Sequence, residues 1–380
     1  MIIELLFFFG VLSFAYGIYL VFAEMRFQGK YSAELKRTFS YEPTVSVIAP
    51  VKGPEKDLED NIRGLLDQKY PKNKVQYIFV LDSKKDPAYS TIKKLVRRRA
   101  KIVIARRLPH CSGKISALLT GIKHAKNDVL VFLDTDGKPC KDWLRSLVGQ
   151  LETADLTSGI RFYLPGTTLT SYIRSSWNSI GVSQIFSTWM FAWGVSMAIR
   201  KKTFYALNIP KHWSTSLSDD ATLSLQVKKT NLKIQFAPKC VLFSHDKVKF
   251  HEFLEFSNRQ MIILKSYFPK LHILSLRAMG SICFLILLGI VALFLSFYLP
   301  ALLLLSIVPL YMLKEYIRFL GYKNNLKITG SAAKFAIAGL IAVWIFTYNC
   351  LQAVKRNTIT WRGRTYVIHG PADIEIRNTV

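Results

Sequence analysis

Two kinds of apolar pattern alternate along this chain, and the switches between them divide it. From Leu5 to Ala23 the residues are apolar almost without a break and carry no charge. At 1.5 Å per residue this run predicts a helix of about 28 Å, close to the hydrocarbon thickness of a bilayer. From Thr44 the pattern changes to short apolar runs separated by amphipathic stretches. Residues 44–50, 75–82, 101–105 and 128–133 predict strands, and residues 58–66, 89–99 and 114–125 predict helices. Strand and helix in alternation imply an α/β fold with a doubly wound, mostly parallel sheet. Between Leu156 and Ser196 the pattern weakens and aromatics crowd in, with Trp177, Phe186, Trp189, Phe191 and Trp193. They predict a second core layer or a surface that receives an apolar ligand.

Further on, Phe250 to Leu271 mixes aromatics with Lys and Arg, the composition of an interfacial amphipathic helix. Met279–Tyr298, Ala301–Leu313 and Phe335–Val354 then form a second membrane region. The expected organisation is an anchor at 1–24, a basic connector at 25–43 and an α/β domain at 44–248. An interfacial helix at 249–274, a membrane region at 275–354 and a cytosolic tail at 355–380 follow. The start, Met-Ile-Ile-Glu, lacks the basic region of a signal peptide, and no clean small-x-small site follows, so a retained anchor is expected.

Composition sharpens this picture. Half of the 380 residues are hydrophobic and the formal charge is +27. Such a charge invites a nucleic-acid partner, but its distribution points elsewhere. From Phe256 to Ala372 the only acid is Glu315, and the basic residues flank the apolar segments, as the positive-inside rule requires. The basic stretch at 91–107, with Arg97-Arg98-Arg99 and Arg106-Arg107, reads as a solvated face near lipid head groups. Five cysteines show no metal-ligand spacing and suit reduced thiols of a cytosol-facing protein.

The chemistry-bearing residues sit at element ends. Val129-Leu-Val-Phe-Leu-Asp134-Thr-Asp136-Gly137 is a buried strand that ends in two carboxylates, and residues i and i+2 share a face. Two hard oxygen ligands there suit Mg²⁺ or Mn²⁺ with a ligand's phosphates completing the shell; the plainer alternative is a polar turn. Asp82 ends the second strand and can accept hydrogen bonds from a base or ribose. Lys114 follows Cys111-Ser112-Gly113 near a helix start, where an ammonium and free N–H groups make a diphosphate site. Ser218-Asp219-Asp220 resembles a capped helix start whose acid can also serve as a general base. Trp361-Arg362-Gly363-Arg364-Thr365-Tyr366 is denser in Arg and aromatics than membrane anchoring requires.

Taken in order, these residues resemble the inverting, membrane-bound glycosyltransferases of family 2 and the related ceramide glucosyltransferase group. The match runs through Val45-Ser-Val-Ile-Ala-Pro50, Asp82, Lys114, Leu133-Asp-Thr-Asp-Gly137, Ser218-Asp-Asp220 and Trp361-Arg-Gly-Arg-x-Tyr366, covering most of the chain. The resemblance implies a GT-A-like fold with an N-terminal transmembrane helix and C-terminal membrane helices. It implies a UDP-sugar donor bound by Pro50, Lys52, Asp82, Lys114, Asp134 and Asp136, with the metal at Asp134 and Asp136. Asp220 is then the base, with Asp219 beside it. Trp193, Arg259, Gln260, Trp361, Arg362 and Arg364 are candidates for acceptor or product phosphate.

The family's Gln/Arg-x-x-Arg-Trp motif is missing, because Ile and Leu follow Arg259-Gln260 where Arg-Trp is expected. A processive polysaccharide synthase is therefore disfavoured, and the acceptor is expected to be a ceramide-, diacylglycerol- or hopanoid-like membrane lipid. The strongest rival is a haloacid-dehalogenase-like phosphatase with Asp134 as nucleophile, but that motif normally lies on the first strand and three strands precede it here. A transporter is disfavoured because the apolar segments lack buried ionisable residues. The location expected is a bacterial inner membrane rather than a eukaryotic endomembrane, with a multi-pass chain and a cytosolic catalytic domain. Cationic flanks at both ends of Phe335–Val354 suggest that Met279–Leu313 forms the crossing hairpin and that Phe335–Val354 lies along or dips into the cytosolic leaflet.

Overall fold

The first apolar run is helical well beyond the length of a membrane span. In the computed structural model, which describes residues 1–53, 57–244 and 248–377, helix α1 covers Ile2–Leu35. The basic connector is thus largely helix, broken only after Lys36. Strand β1 (Val45–Val51), helix α2 (Leu58–Leu66), β2 (Val75–Leu81), α3 (Ala88–Val96), β3 (Lys101–Ile104), α4 (Gly113–Ile122) and β4 (Val129–Leu133) follow as the periodicity predicts. Their faces fill two apolar layers, one on each side of the sheet.

Past β4 the sequence was less legible. The chain continues through α5 (Trp143–Gly149), β5 (Leu156–Tyr163), α6 (Leu169–Val182), β6 (Ser196–Arg200), α7 (Lys201–Ala206), α8 (Ile209–Trp213), α9 (Asp219–Lys228) and β7 (Ile234–Ser244). Together the strands form a seven-stranded sheet of order β3-β2-β1-β4-β6-β5-β7, in which β6 alone runs antiparallel to its neighbours. This is the expected GT-A-like arrangement, doubly wound and mostly parallel. Gly159 lets β5 and β7 come together, since a Cβ there would lie 2.0 Å from the Cys240 carbonyl oxygen.

Membrane helices gather at one edge of this sheet. After α10 (Phe250–Tyr267) come α11 (Pro269–Phe294), α12 (Tyr298–Leu305), α13 (Ile307–Leu326) and α14 (Ala332–Lys355). Among the described residues, four helical stretches are long and apolar enough to cross a membrane: 2–35, 269–294, 298–326 and 332–355. The apolar segment Ala301–Leu313 lies within the third of these stretches, in which α13 continues on polar residues to Leu326. Gly10 and Gly17 let α1 pack tightly on α12 and α13, where a Cβ would meet Leu303 at 2.7 Å and Leu310 at 2.6 Å. At the other end Tyr31 donates to the Pro238 carbonyl at 3.0 Å, tying α1 to β7. The basic stretch around α3 and β3 lies at the β3 edge of the sheet, opposite β7.

The membrane region does hold buried charge, contrary to the sequence reading. Arg318 pairs with Glu24 at 2.5 Å and with Glu315 at 3.0 Å, and Lys314 pairs with Glu315 at 2.6 Å. All four side chains are buried. No single segment reveals this lattice, because Glu24 comes from α1 and the other three from α13. Ser176 of α6 reaches Glu315 at 3.4 Å, so the lattice also holds α6.

Helix α14 is fixed to the α/β domain at both ends. The Ser331 N–H donates to the Tyr172 hydroxyl at 2.9 Å. Near the other end, Trp177 donates to Asn349 at 3.0 Å and Asn349 donates to Asn258 at 2.7 Å. The tail then folds into a three-stranded antiparallel sheet, β8 (Thr358–Trp361), β9 (Arg364–Gly370) and β10 (Asp373–Arg377). Arg362 and Gly363, both with positive φ, make the tight β8–β9 turn.

Candidate active site

The carboxyl end of β4 delivers Asp134 and Asp136 into one cleft, as the strand period requires. Asparagine and threonine hydrogen bonds hold the turn: Asn61 donates to the Thr135 carbonyl at 2.9 Å and Thr135 donates to the Pro50 carbonyl at 3.3 Å. Lys114, in the first turn of α4, lies 2.8 Å from Asp134 and 3.1 Å from Asp219. It also donates to the Gly194 carbonyl at 3.1 Å. Burial works against its charge, but Asp134, Asp219 and Asp220 more than offset that and hold the ammonium well above its ordinary value.

Arg161 is the residue that sequence reasoning missed. It projects from β5, bonds both oxygens of Asp136, and lies 3.6 Å from Asp134. Burial would raise the Asp136 carboxyl, yet Arg161 overrides it and holds the group below the usual carboxylate range. The available signal was a lone cation inside the apolar strand Leu156–Tyr163.

Ser218 caps α9, accepting from the Ala221 N–H at 3.3 Å, and places the two acids in the first turn. They face different ways. Asp219 is 4% exposed and turned onto Lys114, and burial pushes its carboxyl up to about 7 against the pull of that lysine. Asp220 is half-buried at the cleft wall and accepts from Ser218, from the Gly194 N–H at 2.7 Å and from the Ala221 N–H at 2.7 Å.

Gly194 is the second residue the sequence did not flag. A Cβ there would lie 2.9 Å from the Lys114 ammonium, 3.0 Å from an Asp220 oxygen and 3.1 Å from an Asp219 oxygen. The variant Gly194→Ala is expected to remain folded while turnover falls about 10²-fold, since displacements of this size misalign reacting groups. Steady-state kinetics with circular dichroism checks this, and an unchanged rate would refute the placement.

Around this centre the other expected residues converge. Lys52 lies 3.2 Å from Asp82, beyond Pro50 at the end of β1. Arg362 donates to the Lys52 carbonyl at 3.1 Å, so the tail sheet reaches the same wall. Arg259 lies over the rings of Phe256 and Trp361, at 5.5 and 5.7 Å, and burial holds its guanidinium below its ordinary value. A second guanidinium, Arg174, stacks on Tyr163 at 3.7 Å. Trp193, Phe191 and Phe268 form a stacked ladder, with centroids 6.2 and 5.6 Å apart.

All of these residues line one cavity of about 930 Å³. Pro50, Lys52, Asp82, Lys114 and Arg364 mark its polar end; Asp134, Asp136, Arg161, Asp219 and Asp220 are the centre. Trp193, Gln260, Leu264, Phe268, Leu271, Leu274, Ala278, Met279 and Phe346 continue it along α10, α11 and α14 into the membrane region. Of the crowded aromatics, Trp177 is buried and also lines the cavity, as do Phe191 and Trp193.

Two carboxylates at the end of a central strand fit a Mg²⁺ or Mn²⁺ ion. Among the described residues no group of three His, Cys, Asp or Glu side chains is placed to hold a metal alone. Asp134 and Asp136 would hold such an ion together with oxygens from a bound ligand.

A doubly wound sheet thus brings an Asp-x-Asp pair, a helix-start lysine and two further acids to one cleft. The chain belongs to glycosyl transferase family 21, whose family model matches residues 5–373. Among relatives, the probable glycosyltransferase YdaM of Bacillus subtilis is 24% identical over 221 residues, 54% of this chain and 51% of that protein. A ceramide glucosyltransferase of Pyricularia oryzae is 44% identical over 54 residues, 14% of this chain and 11% of that protein. The chain therefore spans about half the length of the first relative and about a tenth of the second. Among solved structures, the mannosyltransferase PcManGT from Pyrobaculum calidifontis, in complex with GDP-Man and Mn²⁺, aligns with a TM-score of 0.48 at 15% identity. That alignment covers 92% of this chain and 98% of the other. Glucosyl-3-phosphoglycerate synthase from Mycobacterium tuberculosis aligns with a TM-score of 0.38 at 18% identity, over 63% of this chain and 82% of that one.

Proposed function

We propose that this glycosyltransferase moves a sugar from a UDP-sugar to the hydroxyl of a membrane lipid, with inversion at the anomeric carbon. The observation that carries the reading is the single cavity that runs from Lys52 and Asp82, past Asp134 and Asp220, to Leu274 and Ala278 of α11. A water-soluble acceptor has no use for an apolar limb between membrane helices. The likeness of one segment to a ceramide glucosyltransferase agrees with a lipid acceptor, and a phosphatase reading has no support in a family 21 chain.

In the mechanism, Asp82 and the end of β1 hold the nucleoside, and Lys114, Arg161 and Arg362 surround the diphosphate. Asp134 and Asp136 would hold a divalent ion, which when bound supplies positive charge opposite the leaving diphosphate. Asp220, on the open cleft wall, takes the proton from the acceptor hydroxyl as its oxygen bonds to the anomeric carbon. The bond from that carbon to the diphosphate oxygen breaks, and UDP leaves. Asp219 is too enclosed against Lys114 to reach an acceptor, so it acts by positioning that lysine. One base and no protein nucleophile make a single displacement.

Incubation of the full-length protein with several UDP-sugars and membrane lipid extract is expected to move label into the organic phase. EDTA should abolish the transfer, and Mn²⁺ or Mg²⁺ should restore it. Phosphate release from phosphomonoesters without glycolipid would overturn the proposal.

We also place three crossings, α1, α11 and α12–α13, with α14 lying along the cytosolic leaflet. A helix tied at both ends to one domain does not carry its ends to opposite faces. Lys327→Cys and Lys355→Cys are expected to react with an impermeant maleimide only from the side of the catalytic domain. Labelling of either from the opposite side would contradict this placement.

A further inference from the structure

One helix face of α1 changes character where it leaves the apolar run. Tyr19 and Phe22 on this face are exposed, at 64% and 61%, and so face lipid. Arg26 and Lys30 continue the same stripe at spacings of four residues, and both are exposed. The acids nearest to them on the helix are both paired with other cations. Glu24 is turned inward onto Arg318, and Glu34, one turn beyond Lys30, pairs with Arg37 at 2.9 Å.

Across from this stripe the end of α6 and the residues after it present Ser183, Phe186 and Ser187. Together with Arg26, Phe27 and Lys30 they line a recess of about 310 Å³. Phe186 forms its floor, packed on Phe27 at 5.3 Å and beneath the Lys30 ammonium at 4.6 Å. The Ser183 and Ser187 hydroxyls donate to the Ile180 and Gln184 carbonyls, at 2.6 and 2.8 Å, and Ser187 also accepts from the Trp189 N–H at 3.1 Å. Ser183 lines the reaction cavity as well.

We infer that this recess, which adjoins the reaction cavity at Ser183, is a binding site for the headgroup of an anionic glycerophospholipid of the cytosolic leaflet. The phosphodiester lies between Arg26 and Lys30, the acyl chains follow Tyr19 and Phe22, and the rest of the headgroup enters the recess beside Ser183, Phe186 and Ser187. Two adjacent cations at the hydrocarbon border, whose nearest acids on the helix pair with other cations, select negative charge. The exposed aromatics above them select a lipid over a free anion. The inference rests on α1 crossing the bilayer and not on sugar transfer, so a failed transfer assay leaves it standing.

The test uses full-length protein reconstituted in nanodiscs of phosphatidylcholine, with or without one part in three phosphatidylglycerol, and counts retained lipids by native mass spectrometry. The wild-type chain is expected to retain phosphatidylglycerol about tenfold or more tightly than Arg26→Gln/Lys30→Gln, given the usual contribution of each juxtamembrane cation. The charge-conserving pair Arg26→Lys/Lys30→Arg and the remote pair Lys93→Gln/Lys94→Gln should retain it as wild type does. Equal retention in Arg26→Gln/Lys30→Gln would overturn the inference. So would displacement of the lipid by inorganic phosphate, because the recess would then be a simple anion site.

Discussion

Asp220→Asn is expected to lower the rate of transfer by about 10²–10⁴-fold, the range that general-base catalysis contributes, while UDP-sugar affinity changes little. The amide keeps the shape of the side chain and an oxygen to accept the Gly194 N–H, but it cannot take a proton from the acceptor. Asp219→Asn should behave differently, because Asp219 faces Lys114 at 3.1 Å rather than the open cleft. Its loss frees Lys114 on one side and is expected to weaken donor binding as well as turnover. Isothermal titration with UDP-sugar beside initial-rate measurements separates the two. If Asp220→Asn turned over normally and Asp219→Asn did not, the roles assigned to the pair would be reversed.

The second large effect is on stability. Arg318→Met leaves Glu24 and Glu315 buried without their shared partner, and breaking such a lattice from one side costs about 3–5 kcal/mol. Thermal unfolding in nanodiscs should show a midpoint lowered by roughly 5–10 °C. The double variant Glu24→Leu/Arg318→Met removes one charge of each sign and leaves Lys314 paired with Glu315 at 2.6 Å. It should therefore be less destabilised than Arg318→Met alone. A double variant that loses as much as the two single changes added together would mean that Glu24 and Arg318 are not coupled.

The sequence was most readable where one period decides the structure. Asp134 and Asp136 had to share a face because they are two residues apart on a strand, and the first four strands followed from unbroken apolar runs. Asp82 and Lys114 were legible as element ends. The residues missed are those whose role depends on partners distant in the chain. Arg161 meets Asp136 only because β5 passes beyond β6, and Gly194 matters because Lys114, Asp219 and Asp220 close around its Cα. The lattice of Glu24 with Arg318 was hidden for the same reason, since α1 and α13 are separated by the whole catalytic domain. Trp361 and Arg362 read as more than anchors, but their route to the Lys52 carbonyl depends on the β8–β9 turn, which periodicity alone did not disclose.

The central claim is that the apolar limb of the cavity receives the acceptor. Ala278 lines that limb on α11, at the far end from Asp82. The most direct measurement is the Michaelis constant for the lipid acceptor in the Ala278→Trp variant, taken beside UDP-sugar affinity. Filling the limb should raise that constant about tenfold, or about 1.4 kcal/mol, and leave donor binding as it is. An unchanged constant, with normal transfer to lipid, would contradict the account.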